Sequence, residues 1–367
     1  MKTFNEHFKQ ELMKQGTQLD FSGQTIFVGM DVHKKSWKVC IRSKHMELKT
    51  FSQEPSAKLL IGHLNHNYPS ATYKVVYEAG FCGFGYQREF SEAGINCIIV
   101  HPADVPTTDK DKQRKSDTVD CRKLGKTLSE GNLEGIFVPG VEQQDDRGVI
   151  RVYQQMIKDQ TRYKNRIRGW LSFQGIIIPG DDDYKYWSNN FTKWLKGLSL
   201  TPSARINLDI LIQGYEQARA MVLTATRQVR ILSREERYKK KIKLIRTIPG
   251  IGEIAGLLFS TEIGDMNRFK ELDQLCDYLG LVPKVHGSGD RETVLGLTNR
   301  GHHQLRETLI EASWIAIRLD PAMTLFFNEC CKRMKKNRAI IKVARKMLNR
   351  IRFVMKNQRE YVTAVVK

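Results

Sequence analysis

The sequence lacks any apolar run long enough to cross a bilayer, which excludes a transmembrane helix of about 20 consecutive apolar residues. Its seven cysteines form no C-x-x-C pair, so we expect reduced thiols in a cytoplasmic protein. The amino terminus lacks the apolar core of a signal peptide, and no lipid-attachment signal is present. Internal repeats and low-complexity segments are also missing. These absences favour a soluble globular protein.

Acidic residues are scarce relative to basic ones. Forty Asp and Glu stand against 60 Lys and Arg, which gives a formal charge of +20 and a sequence pI near 9.6. A charge of this sign and size predicts an anionic partner, and we expect nucleic acid rather than a membrane. The 367 residues allow two or three domains.

Residues 23–141 alternate between strand and helix patterns. The alternation of apolar and polar residues over 37–42, for example, predicts a half-buried strand. The predicted strands are 25–31, 37–42, 73–77 and 97–100, and the predicted helices are 55–67 and 84–93. A strand, its hairpin partner and then strands alternating with helices is the order expected of an RNase H-like sheet, so this part should be α/β.

The rest of the chain is predicted to be mostly α. Over 142–243, apolar residues recur at the three-four spacing typical of a coiled-coil seam: Leu208, Leu211, Tyr215, Ala218, Val222, Ala225, Val229 and Leu232. This seam fits a helical hairpin within one chain, a dimerisation arm, or both. Residues 244–328 form a second compact unit. The tail over 332–359 carries twelve Lys or Arg and no acid around an apolar stripe, which predicts a docked helix with a basic outer face.

Four acidic residues are candidates for a metal site. Asp31 and Glu78 end predicted strands, and Asp117 and Asp120 lie three residues apart at the start of a predicted helix. Carboxylates at buried strand ends need positive charge, and oxygen ligands suit Mg²⁺, here as two ions roughly 4 Å apart. Singly, each acid also has a structural explanation. Asp117 and Asp120 suit the helix dipole behind an N-cap at Ser116, and Glu78 suits a turn.

Several basic and glycine residues are candidate nucleic-acid contacts. Those beside the acids, which would otherwise form a solvated loop, are Lys110, Lys112, Arg114 and Lys115. Gly250 and Gly252, in the segment 248–252, fit the hairpin of a helix-hairpin-helix element that binds phosphate, or an ordinary turn. The candidates in the tail are Arg338, Lys342, Arg345 and Lys346.

Ser288 lies between two glycines on a loop, which leaves a hydroxyl accessible for attack. From the local sequence alone, a flexible turn is the favoured interpretation. Arg291, Arg300 and Arg306 follow it and are candidates to stabilise a phosphoryl transition state.

Together these pieces resemble the DEDD transposases of bacterial insertion sequences, of the one-ten/eleven-eleven group, which includes the Piv-type DNA invertases. The resemblance extends from about residue 25 to residue 358. The acidic motifs of that family are matched by residues 29–34, 77–80 and 115–120. Its later motifs are matched, in order, by residues 248–252, 278–283, 287–289 and 298–301.

The resemblance implies a RuvC-like domain, an inserted coiled coil and a transposase domain whose catalytic serine matches Ser288. It thereby favours Ser288 as a nucleophile over a turn residue, and it implies a catalytic Mg²⁺ site at the four acids. Family members often carry two serines before the glycine, whereas Gly287 takes the first position here. The implied partners are donor and target DNA, a noncoding guide RNA from the same element, and further copies of the chain, from dimer to tetramer, with no membrane.

We therefore expect an amino-terminal extension over 1–22, a RuvC-like DEDD domain over 23–141, coiled-coil helices over 142–243, a transposase domain over 244–328 and a basic helical tail over 329–367. The expected function is RNA-guided DNA transposition and recombination in the bacterial cytoplasm. Three alternatives stay open: an RNA-independent Piv-like invertase, a RuvC-like nuclease that uses metal-activated water, and a non-enzymatic RNA-binding scaffold.

Overall fold

A computed structural model describes residues 20–106, 116–180, 187–288 and 291–363, with only the backbone described at 285–288 and 291–295. Most of the expected extension over 1–22 lies outside the described residues. The chain divides into two compact units, Met1–Val138 and Pro139–Lys367. None of the described helices is long and apolar enough to span a bilayer.

The first unit is a five-stranded mixed sheet with helices on both faces. Its elements in chain order are β1 Thr25–Val32, β2 Trp37–Arg42, β3 Glu47–Gln53, α1 Ala57–Asn67, β4 Thr72–Glu78, α2 Gly85–Glu92, β5 Asn96–Val100 and α3 Asp117–Ser129. The strand order is β3-β2-β1-β4-β5, in which β1, β2 and β3 pair antiparallel while β1, β4 and β5 pair parallel. This mixed sheet is compatible with the RNase H-like domain expected from the sequence.

Successive side chains of β1 point to opposite faces of the sheet, as in any β-strand. On one face, Val28 shares an apolar cluster with Leu60 of α1 and Phe90 of α2. On the other face, Phe27 shares a cluster with Leu124 of α3. The helix that begins at Asp117 is thereby held against the centre of the sheet.

Strand β3 is absent from the elements expected from the sequence. It lies at the sheet edge and pairs with β2, with Phe51 opposite Val39. Only Leu48 and Phe51 pack partly against the core, and every second residue along most of the strand is exposed. An edge strand covered on one side needs few apolar residues, so its pattern is weak.

The second unit is mostly helical, with one two-stranded hairpin. Its elements are α4 Val141–Phe173, α5 Asn189–Lys196, α6 Pro202–Ser233, α7 Glu236–Ile245, α8 Glu253–Ile263, α9 Leu272–Leu279, β6 Pro283–Ser288, β7 Arg291–Leu297, α10 His303–Leu319, α11 Pro321–Cys331 and α12 Lys336–Asn357. Helix α12 is the docked basic tail that the sequence predicts, and its apolar stripe is buried.

Helices α4 and α6 pack against each other in antiparallel directions. Ile150, near the start of α4, shares a cluster with Val229 near the end of α6. Ile167, near the end of α4, shares another cluster with Leu208 near the start of α6. The predicted seam is therefore buried at both ends. Between them, its residues Ala218, Val222 and Ala225 are only half-buried.

A buried ionic cluster joins α4, α8 and α10. Glu262 of α8 is 1% exposed, and its carboxylate accepts from Arg151 Nε at 3.1 Å and lies 3.2 Å from His302 Nε2 and 3.4 Å from Arg147 Nε. Burial acts to raise the pKa of Glu262, but the His302 hydrogen bond and the charges of His302, Arg151 and Arg147 outweigh it, so the pKa lies below its usual range. The carboxylate thus pairs with the buried guanidinium of Arg147, which also donates to the Thr261 and Glu262 carbonyls.

Glu262→Ala should lower the free energy of unfolding by about 3–5 kcal/mol, because it removes the buried carboxylate that pairs with Arg147, Arg151 and His302. The measurement is urea unfolding of the full chain, with Glu307→Ala, an exposed carboxylate on α10, as the control. The pKa of Glu262 is lowered in the folded protein. Its contribution to the free energy of unfolding is therefore fully present above the carboxyl pKa of the unfolded chain, and it is lost as pH falls through the folded pKa. The deficit should therefore shrink in acid. Equal stability of the two variants at neutral pH would contradict this account.

Candidate active site

The acids Asp31 and Glu78 lie at the carboxyl ends of neighbouring parallel strands. In the β1–β4 pairing Met30 is opposite Tyr77, so Asp31 and Glu78 are the next residue on each strand. Both are half-buried. Because parallel strands end at the same edge of a sheet, two carboxylates are brought to one place.

Helix α3 brings the other two acids to this edge. The helix lies so close to β1 that a Cβ added at Gly29 would sit 2.2 Å from the Cys121 carbonyl oxygen and 2.3 Å from the Gly125 nitrogen. Ser116 caps the helix by accepting from Val119 N at 3.4 Å, as predicted. The first turn, which holds Asp117 and Asp120, therefore begins next to the end of β1.

The structure brings Asp31, Asp117 and His33 together. His33 Nε2 lies 3.2 Å from Asp31 Oδ2 and 3.6 Å from Asp117 Oδ2, and one ligand atom from each of the three falls within 4.8 Å of the others. Burial raises the pKa of Asp31, and the charges of Asp117 and Asp120 raise it further, although His33 opposes them. This cluster is short of positive charge, and its carboxylate oxygens are the donors that a divalent cation prefers.

His33 belongs to this site but was not among the candidate residues predicted from the sequence. The sequence feature that could have identified His33 is its position two residues after Asp31, just beyond the end of β1. A turn residue has no periodicity that reveals its neighbours, so the contact with Asp117, 84 positions later, could not be read from the sequence. Asp120 and Glu78 lie outside the group of three whose ligand atoms fall within 4.8 Å of one another.

Ser288 is the last residue of β6 and pairs with Arg291, the first residue of β7. Only the backbone is described there. Residues 289–290 lie outside the described residues, as do the candidate contacts Lys110, Lys112, Arg114 and Lys115. The tip of a two-stranded hairpin is thus where the chain places this serine.

The base of the Ser288 hairpin is fastened by Arg306. Its Nη1 donates to the Gly280 carbonyl at 3.0 Å and to the Thr298 carbonyl at 2.8 Å, and Thr298 N donates to the Val282 carbonyl at 3.0 Å. The motifs on either side of the hairpin therefore meet at its base. Arg306 is a structural clamp here rather than a free cation for phosphate, whereas Arg300 is exposed.

The two glycines of the segment 248–252 differ in their surroundings. Gly250 has φ +92°, and a Cβ there would lie 2.3 Å from the Ala312 carbonyl oxygen of α10. Its missing side chain therefore serves packing within the unit. Gly252 is the N-cap of α8 and a Cβ there would meet open space, so it is the glycine that a ligand can approach.

The candidate contacts on α12 also divide into two kinds. Arg338, Lys342 and Lys346 are exposed and repeat every four residues, which puts them on one helix face. Arg345 is half-buried and donates to the Leu281 carbonyl at 3.1 Å and to Asp273 at 2.8 Å. Arg345 therefore fastens the helix, and the other three form its outer basic face.

Gly29→Ala should displace α3 from β1, because the added methyl would overlap backbone atoms that no rotamer change can move. We expect a loss of about 1–3 kcal/mol in the free energy of unfolding, together with loss of DNA strand cutting. Gly62→Ala on α1, where a Cβ meets nothing within 4 Å, is the matched control. Wild-type stability and cutting in Gly29→Ala would show that the close approach does not position the acids.

Two family models match this chain. Residues 28–174 match a transposase model of the DEDD IS110 type, and residues 242–328 match the model described as the transposase IS116/IS110/IS902 family. The first match includes all four acids, and the second includes Ser288. The DEDD match indicates use of a divalent metal, which agrees with the grouping of Asp31, His33 and Asp117.

Known transposases are similar over most of the chain. The transposase for insertion sequence element IS1111A of Coxiella burnetii is 26% identical over 74% of this chain and 74% of its own length. That for element IS1533 of Leptospira borgpetersenii is 23% identical over 79% of this chain and 84% of its own. The protein y4qE of Sinorhizobium fredii is 27% identical over 65% of this chain and 57% of its own. This chain belongs to the IS116/IS110/IS902 family of transposases, and it is a DNA transposase.

Proposed function

We propose that this transposase cuts and rejoins DNA strands with an acidic metal site on its first unit and Ser288 as the nucleophile, guided by RNA. The observation that carries the proposal is the meeting of Asp31 and Asp117 at the end of β1, where His33 is their shared partner. Asp31 is half-buried and Asp117 lies close to it, so the two carboxylates are costly to hold together unless a cation neutralises them. A cation beside a basic surface suits a phosphodiester substrate.

The proposed cofactor is Mg²⁺, as two ions, held by Asp31, Glu78, Asp117 and Asp120. The donor set supports it, since carboxylate oxygens are the ligands this ion prefers, and the raised pKa of Asp31, caused first by burial, means that the site gains from added positive charge. When bound, the metal supplies positive charge for the scissile phosphate.

Ser288 is the proposed nucleophile. Its oxygen bonds to phosphorus, the 3′ oxygen of the cut strand leaves as a hydroxyl, and the 5′ phosphate stays linked to the protein. That 3′ hydroxyl later attacks a phosphoserine link and reseals the exchanged strand. The clamped base of the hairpin supports this role, because a nucleophile must be presented in a fixed geometry.

The proposed architecture assigns a RuvC-like domain to the first unit, a coiled coil to α4 and α6, and a helix-hairpin-helix element to the segment 248–252. The proposed partners are donor and target DNA, a noncoding guide RNA and further copies of the chain, as a dimer or tetramer in the bacterial cytoplasm. The half-buried middle of the α4–α6 seam supports association through these helices, since it leaves apolar side chains to be covered.

RNA guidance is tested by sequencing the RNA that copurifies with the full chain from cells carrying its insertion sequence. One abundant structured transcript from that element, required for strand exchange when the purified protein is reconstituted, would support the proposal. Exchange at full rate by protein treated to remove RNA would favour the Piv-like invertase.

The exposed basic face of α12 should contribute to nucleic-acid affinity independently of the nucleotide sequence. Replacing Arg338, Lys342 and Lys346 with Gln should weaken binding and reduce the slope of log affinity against log salt by roughly one unit per lost phosphate contact. Arg345→Gln is the control on the same helix, and it should lower stability while leaving the slope unchanged. If the triple substitution left the slope of log affinity against log salt unchanged, these side chains would instead contact protein.

A further inference from the structure

Phe81 is an exposed aromatic residue that the fold of the first unit does not use. Its side chain is 60% exposed. Its neighbours Cys82 and Phe84 pack partly against the apolar cluster of the sheet, whereas Phe81 takes no part in any described cluster. The core of this unit is filled without this ring, which leaves its exposed surface available to a ligand.

The turn that carries Phe81 is rigidly supported. Buried Tyr77 donates its hydroxyl hydrogen to the Gly83 carbonyl at 3.2 Å and accepts from Gln87 N at 3.2 Å. Ala79 N donates to the Val100 carbonyl at 2.8 Å, which ties the start of the turn to β5. The ring is therefore presented on a fixed base, and a ligand that stacks on it would lose little binding energy to ordering the protein.

Phe81 lies beside the acidic cluster. It follows Glu78, the last residue of β4, by three positions. The ammonium of Lys34 lies 5.8 Å from the centre of the Phe81 ring, and Lys34 is the residue after His33, which contacts Asp31. A cation and an exposed ring thus stand together at the edge of the sheet where the carboxylates converge.

We infer that Phe81 and Lys34 form a stacking site for an unpaired nucleobase of the DNA strand whose phosphate lies at the acids. This inference rests on the proposed function and adds to it the form of the substrate. A phenyl ring offers a π-face and no hydrogen-bonding group, so it takes any base, while the ammonium contacts the adjoining backbone phosphate. A paired base keeps its faces against its neighbours, so the site selects DNA that is locally opened.

The test compares two DNA probes that bind the full-length protein: a duplex, and the same duplex with a central unpaired bulge containing 2-aminopurine. In the wild type, stacking on the Phe81 ring should quench the fluorescence of 2-aminopurine. Phe81→Ala should remove this quenching and weaken binding of the bulged probe by about 5- to 150-fold, the equivalent of 1–3 kcal/mol of stacking. Duplex affinity should be unchanged, and Phe81→Trp should retain both effects. Met46→Ala is the matched control. Met46 is also 60% exposed, but it lies in the β2–β3 turn, at the end of the strands opposite to the acids.

Equal affinity of wild type and Phe81→Ala for the bulged probe, or an equal loss for both probes, would overturn the stacking site. DNA cutting by the wild type is measured in parallel. Cutting by the wild type together with unchanged binding by Phe81→Ala rejects this inference alone. A selective loss of bulge binding with no cutting by the wild type keeps the stacking site and rejects the proposed chemistry. A melting temperature of Phe81→Ala within the wild-type range excludes misfolding as the cause.

Discussion

Asp31→Ala should reduce strand cutting and exchange by roughly a thousandfold or more, while nucleic-acid binding persists. The half-buried carboxylate of Asp31 contacts His33 at the end of β1, so its loss removes both a proposed metal ligand and the partner that holds His33. A metal ligand contributes several kcal/mol of transition-state stabilisation, and each 1.36 kcal/mol is a factor of ten in rate. Glu78→Ala, Asp117→Ala and Asp120→Ala should behave alike.

Asp31→Asn separates charge from shape and gives a second readout. Burial raises the pKa of Asp31 in the folded protein. The contribution of Asp31 to the free energy of unfolding is therefore fully present below the carboxyl pKa of the unfolded chain, and it is lost as pH rises through the folded pKa. At neutral pH with a chelator present, Asp31→Asn should therefore melt at a higher temperature than the wild type. Added Mg²⁺ should raise the melting temperature of the wild type and leave that of the variant unchanged. Near-native exchange by Asp31→Ala would reject the metal site.

Ser288→Ala should stop exchange before any DNA is cut, with DNA binding and assembly retained. A serine hydroxyl titrates far too high to ionise alone, so it acts only on a polarised phosphate with a group nearby to take its proton. Removing the hydroxyl leaves nothing to form the covalent link. Ser172→Ala, at the end of α4, is a control for serine replacement outside the hairpin. Full activity of Ser288→Ala would instead support a nuclease that uses water.

Mixing two inactive variants tests whether the acids and Ser288 act from different copies of the chain. If they do, Asp31→Ala mixed with Ser288→Ala should regain part of the exchange activity, because some assembled sites contain both functional groups. No recovery, from proteins shown to form mixed assemblies, would favour a site built within one chain.

The strand ends of the first unit could be predicted because the physical signals were local. Apolar runs that end in an acid identify β1 and β4, and parallel strands necessarily bring such ends to one edge. Ser116 followed by Asp117 and Asp120 is a recognisable start of a helix. His33 could not be assigned, because its contacts depend on the docking of α3, which in turn depends on the missing side chain of Gly29.

The basic residues of the second unit show where sequence reasoning fails. A Lys- or Arg-rich segment predicts a charged surface, but composition alone does not say which guanidinium groups turn inward. Arg306 and Arg345 donate to backbone carbonyls, whereas Arg338 and Lys342 are exposed. The same limit applies to Gly250, whose glycine serves contact with α10. Such roles are set by partners distant in the sequence.

The central claim, a serine nucleophile working with the acidic site, is tested most directly by trapping the protein during cutting. The wild-type protein, supplied with its RNA, Mg²⁺ and a DNA strand that is released once cut, is denatured and digested for mass spectrometry. The account predicts a 5′ phosphate covalently attached to Ser288, with a free 3′ hydroxyl on the other DNA end, and no adduct in Asp31→Ala. Cut DNA whose 5′ and 3′ ends are both free of protein would contradict it.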